Sequence, residues 1–282
     1  MAITFRLGVV HGSRVGGVIG LVVLVACGSS PTGPGEPQSQ QTMGSLFSDD
    51  FESGTLALWE DGMDPARHRV MTDSFAPSGN RYLAVTYPAG RDGGWLTRFI
   101  RPGGDSLYVS LDVRFPENWR GGTKLVGLYG SRSDDQWSGF GRAGICPSGT
   151  DFFLTMIVTE PSVTAGTRFY TYYPTMAREP DGVTCWGRFG DGSERYIPPV
   201  TMSLGAWHRV EFWARVNAPG RRDGEQVFWI DGVERGRWSG IAFRESGILQ
   251  MNAVQLSFSV SDGVPQTQQL HLDNIVVRRT PP

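Results

Sequence analysis

The chain after Leu46 consists largely of short stretches in which apolar and polar residues alternate. Such alternation is the pattern of β-strands that bury one face, and helical periodicity is almost absent. Glycine, proline, asparagine and aspartate separate the stretches, as expected for turns. The predicted strands include 81–87, 107–115, 152–158, 168–173, 208–216, 226–230, 254–260 and 270–277.

Residues 47–282 show no internal repeat and no second domain boundary, so they are predicted to form one all-β domain of two antiparallel sheets packed face to face. The segments that begin at Asp49 and Leu272 resemble the first and last strands of a concanavalin A-like jelly roll, which pair at the sheet edge. Acidic groups there often hold a structural calcium ion. Asp50 and Asp273 are candidate calcium ligands, with solvated turn carboxylates as the alternative.

The N-terminal residues have the features of a bacterial secretion signal. Arg6 and Arg14 accompany an apolar run that ends in Leu24-Val25-Ala26-Cys27, which resembles a lipobox. Residues 1–26 are therefore predicted to be a lipoprotein signal peptide and Cys27 the lipidated residue, with 27–46 as a flexible linker. This predicts a cell-envelope lipoprotein, of the outer membrane or cell surface, that contacts the membrane through its lipid.

The remaining composition narrows the partners of the domain. The formal net charge of −2 gives no global attraction to nucleic acid, and a monomer is expected. With Cys27 assigned to lipid, Cys146 and Cys185 are the two cysteines left, and in an oxidising compartment a disulfide between them is predicted. Metal binding is the weaker interpretation, because neither cysteine has a second cysteine or a histidine at ligand spacing.

Lys124 is the only lysine of the chain, whose other basic residues apart from four histidines are arginines. A lysine that persists in such a composition can supply something that arginine cannot. Its amine is a compact charge that can release a proton on burial, whereas a guanidinium stays protonated. The alternative is chance, and the segments around it decide between the two.

Three segments resemble polysaccharide lyase family fourteen, which includes alginate and glucuronan lyases. One runs from Trp207-His208 through Asn217-Ala218-Pro219-Gly220 to Trp229-Ile230-Asp231-Gly232, and its last part is shared by many sandwich folds. The more specific segments are Gly121-Gly122-Thr123-Lys124-Leu125-Val126-Gly127-Leu128 and Tyr170-Thr171-Tyr172-Tyr173-Pro174.

This resemblance implies a lyase that removes the proton α to a uronate carboxylate and expels the glycosidic oxygen. The chemistry needs a cation beside the carboxylate, a base and an acid. Lys124, Tyr170 and Tyr172 are the candidate catalytic residues, with Arg142 or Arg168 neutralising the uronate; Tyr173 and Trp137 are candidates for substrate contact. Residues two apart in a strand face the same way, so Tyr170 and Tyr172 should enter one groove. The substrate is expected to be an acidic polysaccharide and no cofactor is required.

Departures from the family pattern support a second hypothesis. The strand at 151–158 lacks the arginine that the family places there, and Tyr173 replaces a histidine. A non-catalytic carbohydrate-binding lipoprotein on the same fold is therefore the alternative function.

The chain contains no motif of several other enzyme classes. There is no nucleophile elbow, Walker loop or zinc signature, and no strand carries the alternating carboxylates that a sandwich glycoside hydrolase needs. His208 and His271 are isolated in the sequence, without an acidic or nucleophilic partner at motif spacing, and are predicted to be structural.

Overall fold

The computed structural model describes residues 44–159, 162–163, 166–187, 201–260 and 262–282. The predicted signal peptide, Cys27 and the linker up to residue 43 lie outside these ranges. No helix in the described part of the chain is long and apolar enough to cross a membrane. The strands are β1 (Phe47–Asp49), β2 (His68–Thr72), β3 (Arg81–Tyr87), β4 (Trp95–Gly104), β5 (Ser106–Arg114), β6 (Lys124–Arg132), β7 (Phe152–Val158), β8 (Arg168–Tyr172), β9 (Trp207–Arg215), β10 (Gly224–Ile230), β11 (Val233–Ile241), β12 (Leu249–Ser257) and β13 (Gln268–Arg278).

The strands form two antiparallel sheets. The five-stranded sheet has the order β4-β12-β6-β7-β8, and the eight-stranded sheet has the order β11-β10-β9-β5-β13-β3-β2, with β1 paired to β13. This arrangement confirms the predicted all-β jelly-roll sandwich.

The core lies between the sheets and is built by the alternation seen in the sequence. On β5, Leu107, Val109 and Leu111 have no exposed surface, and Tyr108 and Ser110 between them point to the other face of the sheet, where they are also buried. Phe169 of β8 meets Phe228 of β10 across the sandwich at a ring-centroid distance of 5.1 Å. Contacts of this kind bury apolar surface of both sheets at once, which is the main stabilising contribution to such a fold.

The first and last strands pair as predicted, but their place in the sheet differs. β1 pairs antiparallel with β13 in the register Phe47↔Val277. β13 lies inside the eight-stranded sheet, between β5 and β3, rather than at an edge. β1 occupies the part of β13 beyond the residues that β3 pairs, so the two strands share one flank of β13.

The two acidic residues proposed as calcium ligands have separate surroundings. Asp50 is exposed, and its Oδ1 accepts the Glu52 backbone N–H at 3.2 Å. Asp273 has no exposed surface and accepts hydrogen bonds from Ser78 Oγ and from the Asn274 backbone N–H. Among the described residues, no group of three or more His, Cys, Asp or Glu side chains could hold a metal ion. Asp50 and Asp273 thus differ in exposure and in hydrogen-bond partners, and their assignment as calcium ligands stays a prediction.

Candidate active site

A cavity of about 550 Å³ opens on the face of the five-stranded sheet that points away from the eight-stranded sheet. This volume is within the range of ligand-binding clefts. Its floor comes from all five strands. Its walls include the loop between β6 and β7, the segment after β8 that contains Trp186, and the segment between β1 and β2 that contains Asp61.

The floor of the cavity contains a row of residues paired across four strands. Gln255 of β12 pairs with Gly127 of β6, Gly127 with Met156 of β7, and Met156 with Tyr170 of β8. A Cβ atom at Gly127 would lie 2.9 Å from side-chain atoms of Met156 and Tyr129. Gly127 therefore has no room for a side chain, because the side chains of Met156 and Tyr129 occupy the space above it.

Lys124 reaches the cavity because β6 contains a β-bulge. Lys124 pairs with Val158, and the next pair along the ladder is Val126 with Ile157, so the register shifts between them. Simple alternation from Gly127 would place Leu125 in the cavity and Lys124 in the core. The extra residue reverses this: Leu125 is fully buried and Lys124 lines the cavity. Its Nζ lies 5.2 Å from the ring centroid of Tyr170.

Tyr170 and Tyr172 enter the same cavity, as the alternation along β8 predicted. Their hydroxyl oxygens are 3.3 Å apart, within hydrogen-bond distance. Burial raises the pKa of Tyr172 well above its ordinary value, and the neighbouring Tyr170 adds to this, whereas the backbone of Gly144 and Gly187 acts in the opposite direction. Tyr172 therefore keeps its proton at neutral pH and can act as a proton donor.

The two arginine candidates are separated by the structure. Arg142 lines the cavity from the β6–β7 loop, where its Nε donates to the Ser138 carbonyl at 2.6 Å and its guanidinium lies 5.5 Å from the Phe152 ring centroid. Arg168 begins β8, where it pairs with Val158, and it is not among the cavity-lining residues. Of the two, Arg142 is the cation that shares the cavity with Lys124.

The two candidates for substrate contact also differ. Trp137 lines the cavity and keeps 47% of its surface exposed. Tyr173 is 1% exposed and packs edge-on against Trp238 at 5.5 Å. The assignment of Tyr173 to substrate contact is therefore wrong, since Tyr173 follows Tyr172 and faces the core.

The predicted disulfide is confirmed between Cys146 and Cys185, whose Cα atoms are 4.9 Å apart. A backbone hydrogen bond from Cys185 N–H to the Gly144 carbonyl reinforces it. The bridge joins the loop that carries Arg142 to the segment that carries Trp186. These two walls of the cavity are thus held by one covalent link.

Several cavity residues were not anticipated from the sequence. They are Asp61, Trp95, Tyr129, Trp186, Gln255 and Ser257. The alternation of Gln255, Ser257 and Ser259 at the end of β12 was a usable signal, because polar residues at period two indicate an open face. No comparable pattern indicated the tryptophans, because two of the three lie in loops and their segments are distant in sequence.

His208 has partners that its sequence neighbourhood did not show. Asp231 Oδ2 lies 2.8 Å from its Nδ1, and Ser203 Oγ lies 2.9 Å from its Nε2. The same Nε2 accepts the backbone N–H of Ser203 at 3.1 Å. Because these bonds join the segment before β9 to the turn after β10, we assign His208 the structural role that the sequence predicted.

His271 is also structural in its surroundings. It is 7% exposed among Phe75, Tyr82 and Trp207, and burial lowers its pKa to about 4, with Arg114 contributing. A histidine that stays neutral in an aromatic cluster on the eight-stranded sheet contributes packing there.

An all-β sandwich with a lysine and two tyrosines in an open cleft has the architecture of a carbohydrate-active protein. The sequence model of polysaccharide lyase 14 matches residues 78–259, more than half of the chain. The chain belongs to this family. A search of curated protein sequences found no match.

Solved structures of several lyases share the fold. A PL-14 alginate lyase from Aplysia kurodai is 16% identical, with a TM-score of 0.63, covering 84% of this chain and 99% of that one. The alginate lyase vAL-1 from Chlorella virus is 15% identical, with a TM-score of 0.59, covering 79% and 94%. An endo-β-1,4-glucuronan lyase from the fungus Trichoderma reesei is 17% identical, with a TM-score of 0.54, covering 84% and 96%.

Proposed function

We propose that this protein cleaves a uronate-containing polysaccharide by β-elimination at the cavity described above. The observation that carries the proposal is the meeting of Lys124, Tyr170 and Tyr172 in one open cavity of a polysaccharide lyase 14 chain. These residues come from two strands that are not adjacent in the sheet, and the fold alone does not require their polar groups.

The two tyrosines divide the proton transfers. Acting as a phenolate that accepts a hydrogen bond from the Tyr172 hydroxyl, Tyr170 takes the proton from the carbon α to the carboxylate, and the electron pair of that C–H bond forms the new carbon–carbon double bond. The bond to the glycosidic oxygen breaks, and Tyr172 donates its proton to that oxygen. The hydroxyl–hydroxyl contact of 3.3 Å then lets the proton pass from Tyr170 to Tyr172, which restores the starting state.

The two cations of the cavity stabilise the charge that develops on the carboxylate. Lys124 lies beside the Tyr170 ring, and Arg142 projects from the opposite loop. Fixed charges of this kind lower the barrier because they need no reorganisation during the reaction. In this proposal, Arg142 supplies the positive charge that an arginine in strand β7 would otherwise supply.

A screen of uronate polymers tests the proposal directly. The purified protein should produce the ultraviolet absorbance of an unsaturated uronate from at least one polymer, and the Tyr172→Phe variant should lose it. Absence of that product from every polymer tested would refute the lyase activity.

A non-catalytic carbohydrate-binding protein remains the second candidate, and the absence of an arginine in β7 favours it. This alternative predicts that polymers retard the protein in affinity electrophoresis while no unsaturated product forms. The two functions therefore give different outcomes with the same polymers.

We further propose that the protein is a cell-envelope lipoprotein, with 1–26 as signal peptide, Cys27 as the lipidated residue and 27–46 as a tether to the domain at 47–282. The lipobox-like segment before Cys27 supports this. Replacing Cys27→Ser should move the protein from the membrane fraction to the soluble fraction. Unchanged fractionation and lipid labelling would contradict it.

A further inference from the structure

The charged groups of the cavity are few for a site that would bind a chain of uronates. Among the described residues that line it, the charged side chains are Lys124, Arg142 and Asp61, a formal net charge of +1. A polyuronate carries one carboxylate on every sugar. A cavity that held several such sugars would leave carboxylates without a cation, in a space that also contains the Asp61 carboxylate.

Arginines around the cleft already have carboxylate partners. Arg67 pairs with Asp64 and Asp92, and Arg98 and Arg101 both pair with Glu60. These pairs contribute little net positive field to the cleft. In the sequence, the internal segments outside the described residues carry two arginines and three acidic residues, a formal net charge of −1.

Three tryptophans dominate the exposed surface of the cavity instead. Trp95, Trp137 and Trp186 line it and remain 45%, 47% and 46% exposed. Large aromatic surfaces left open to water are rare unless they bind something, and the apolar C–H faces of sugar rings pack well on them.

Side-chain contacts hold two of the three rings in place before a ligand arrives, and a disulfide constrains the backbone next to the third. The Trp95 indole N–H donates to Asp61 Oδ2 at 2.8 Å. Trp137 packs edge-on against Phe99 at 4.7 Å and against Phe140 at 5.5 Å. Trp186 follows Cys185 of the disulfide. Rings fixed in this way lose little entropy on binding, which favours affinity.

We infer that the site takes a polysaccharide in which single uronates alternate with neutral sugars, rather than a homopolymer of uronates. One carboxylate meets Lys124 and Arg142, and the neutral sugars on either side stack on the tryptophans. The inference rests on the proposed function for the cleavage step, but the binding preference can be measured without cleavage.

The test compares two classes of polymer on the Tyr172→Phe variant, so that binding is read without degradation. Alginate and glucuronan represent the homopolymers of uronate; hyaluronan, unsulfated chondroitin and gellan represent alternating chains. We expect at least one alternating polymer to bind at least ten-fold more tightly than either homopolymer in affinity electrophoresis. Tighter binding of a homopolymer, or retention of neither class, would overturn the inference.

Two further variants assign the preference to the named residues. Asp61→Asn removes the charge and keeps an oxygen for the Trp95 indole, so it should strengthen the binding of homopolymers about three- to ten-fold and that of alternating chains by less. Trp137→Ala should weaken the binding of alternating chains about ten-fold, and in the active enzyme this should appear mainly as a higher KM. An equal effect of Asp61→Asn on both classes would also count against the inference.

The same experiments separate this inference from the lyase proposal. If the unmodified protein cleaves no polymer while the alternating chains still bind preferentially, the lyase proposal fails and the substrate class stands. If a homopolymer is cleaved and bound best, the lyase proposal stands and the substrate class fails.

Discussion

At the scale of single residues, side chains of similar chemistry have different roles in the site because their surroundings or shapes differ. Tyr172 and Tyr173 are neighbours in the chain, yet one lines the cavity and the other packs against Trp238 in the core. Lys124 and the arginines carry the same charge, yet their shapes differ. The role of each residue therefore depends on its position in the fold and on the shape of its side chain, as well as on its chemical type.

Lys124→Arg should reduce turnover nearly as much as Lys124→Ala. A guanidinium is planar and larger, and it cannot reproduce a compact ammonium beside the Tyr170 ring. Loss of one fixed charge contact typically costs about 10²–10³-fold in kcat. Steady-state kinetics on the best polymer measures this, and near-normal turnover of Lys124→Arg would remove Lys124 from the mechanism.

Tyr172→Phe should lose activity to a similar extent, because it removes the proton donor and leaves the ring to pack against Phe152. Tyr108→Phe is the matched control. Its hydroxyl donates to Glu211 on the eight-stranded sheet, away from the cavity. Equal kinetics for the two variants would mean that the Tyr172 hydroxyl has no catalytic role.

Asp273 should make stability depend on pH. Burial raises its pKa to about 7, so the folded protein binds a proton that the unfolded chain releases near pH 4. Stability that Asp273 contributes is present below pH 4 and is lost as pH rises to about 7. His271 acts in the opposite direction, because its lowered pKa makes acidification destabilising.

Asp273→Asn isolates that contribution. Relative to the unmodified protein, the variant should gain stability as pH rises from about 4 to about 7, by at most about 4 kcal/mol for a three-unit shift. Denaturant unfolding at a series of pH values measures the difference. A difference that does not change with pH would show that Asp273 is ionised in the folded state.

At the scale of elements, a buried hydrogen-bond cluster aligns β7 and β8 with the opposite sheet. Thr155 and Thr171 face the core between the cavity-facing residues of their strands, with their hydroxyl oxygens 3.0 Å apart. Gln226 of β10 bonds to both hydroxyls. This cluster lies directly beneath Tyr170 and Tyr172, so we expect it to fix the position of β8.

Gln226→Leu should therefore destabilise the fold by about 1–3 kcal/mol, because it leaves buried hydroxyls with fewer partners. We expect turnover to fall as well, with little change in KM, since the tyrosines shift rather than disappear. A double-mutant cycle with Thr171→Val measures the coupling between the two side chains. Additive effects would mean that the cluster does not act as a unit.

At the scale of the whole molecule, the disulfide joins two loops that are 39 residues apart in sequence. Each loop gives the cavity a functional side chain, Arg142 on one side and Trp186 on the other. Cross-linking a loop of this length constrains the unfolded chain by roughly 3–4 kcal/mol on loop-closure entropy.

The variant Cys146→Ala/Cys185→Ala should lose roughly 3–4 kcal/mol of unfolding free energy and therefore unfold at a lower denaturant concentration. We also expect KM for the polymer to rise more than kcat falls, because the walls of the cleft lose their link while Lys124 and Tyr172 remain on strands. Denaturant unfolding and steady-state kinetics measure the two effects. Unchanged KM would indicate that strand packing alone positions the walls.

Much of this protein is determined by local sequence. Alternating residues predicted eight of the thirteen strands in the described part of the chain, seven of them to within two positions, and the opening and closing segments predicted that β1 pairs with β13. The same alternation placed Tyr170 and Tyr172 on one face. These features depend on neighbours in the chain, and the period of a strand is fixed by backbone geometry.

Tertiary structure alone decided the rest of the site. The bulge in β6 directs Lys124 into the cavity against simple alternation, because one extra residue between Lys124 and Val126 reverses the faces of the positions before it relative to those after it. The folding of loops from different parts of the chain over the sheet decides which of Arg142 and Arg168 lines the cavity. It also brings together Trp95, Trp137 and Trp186. Such contacts are set by packing across the whole domain, and no local pattern encodes them.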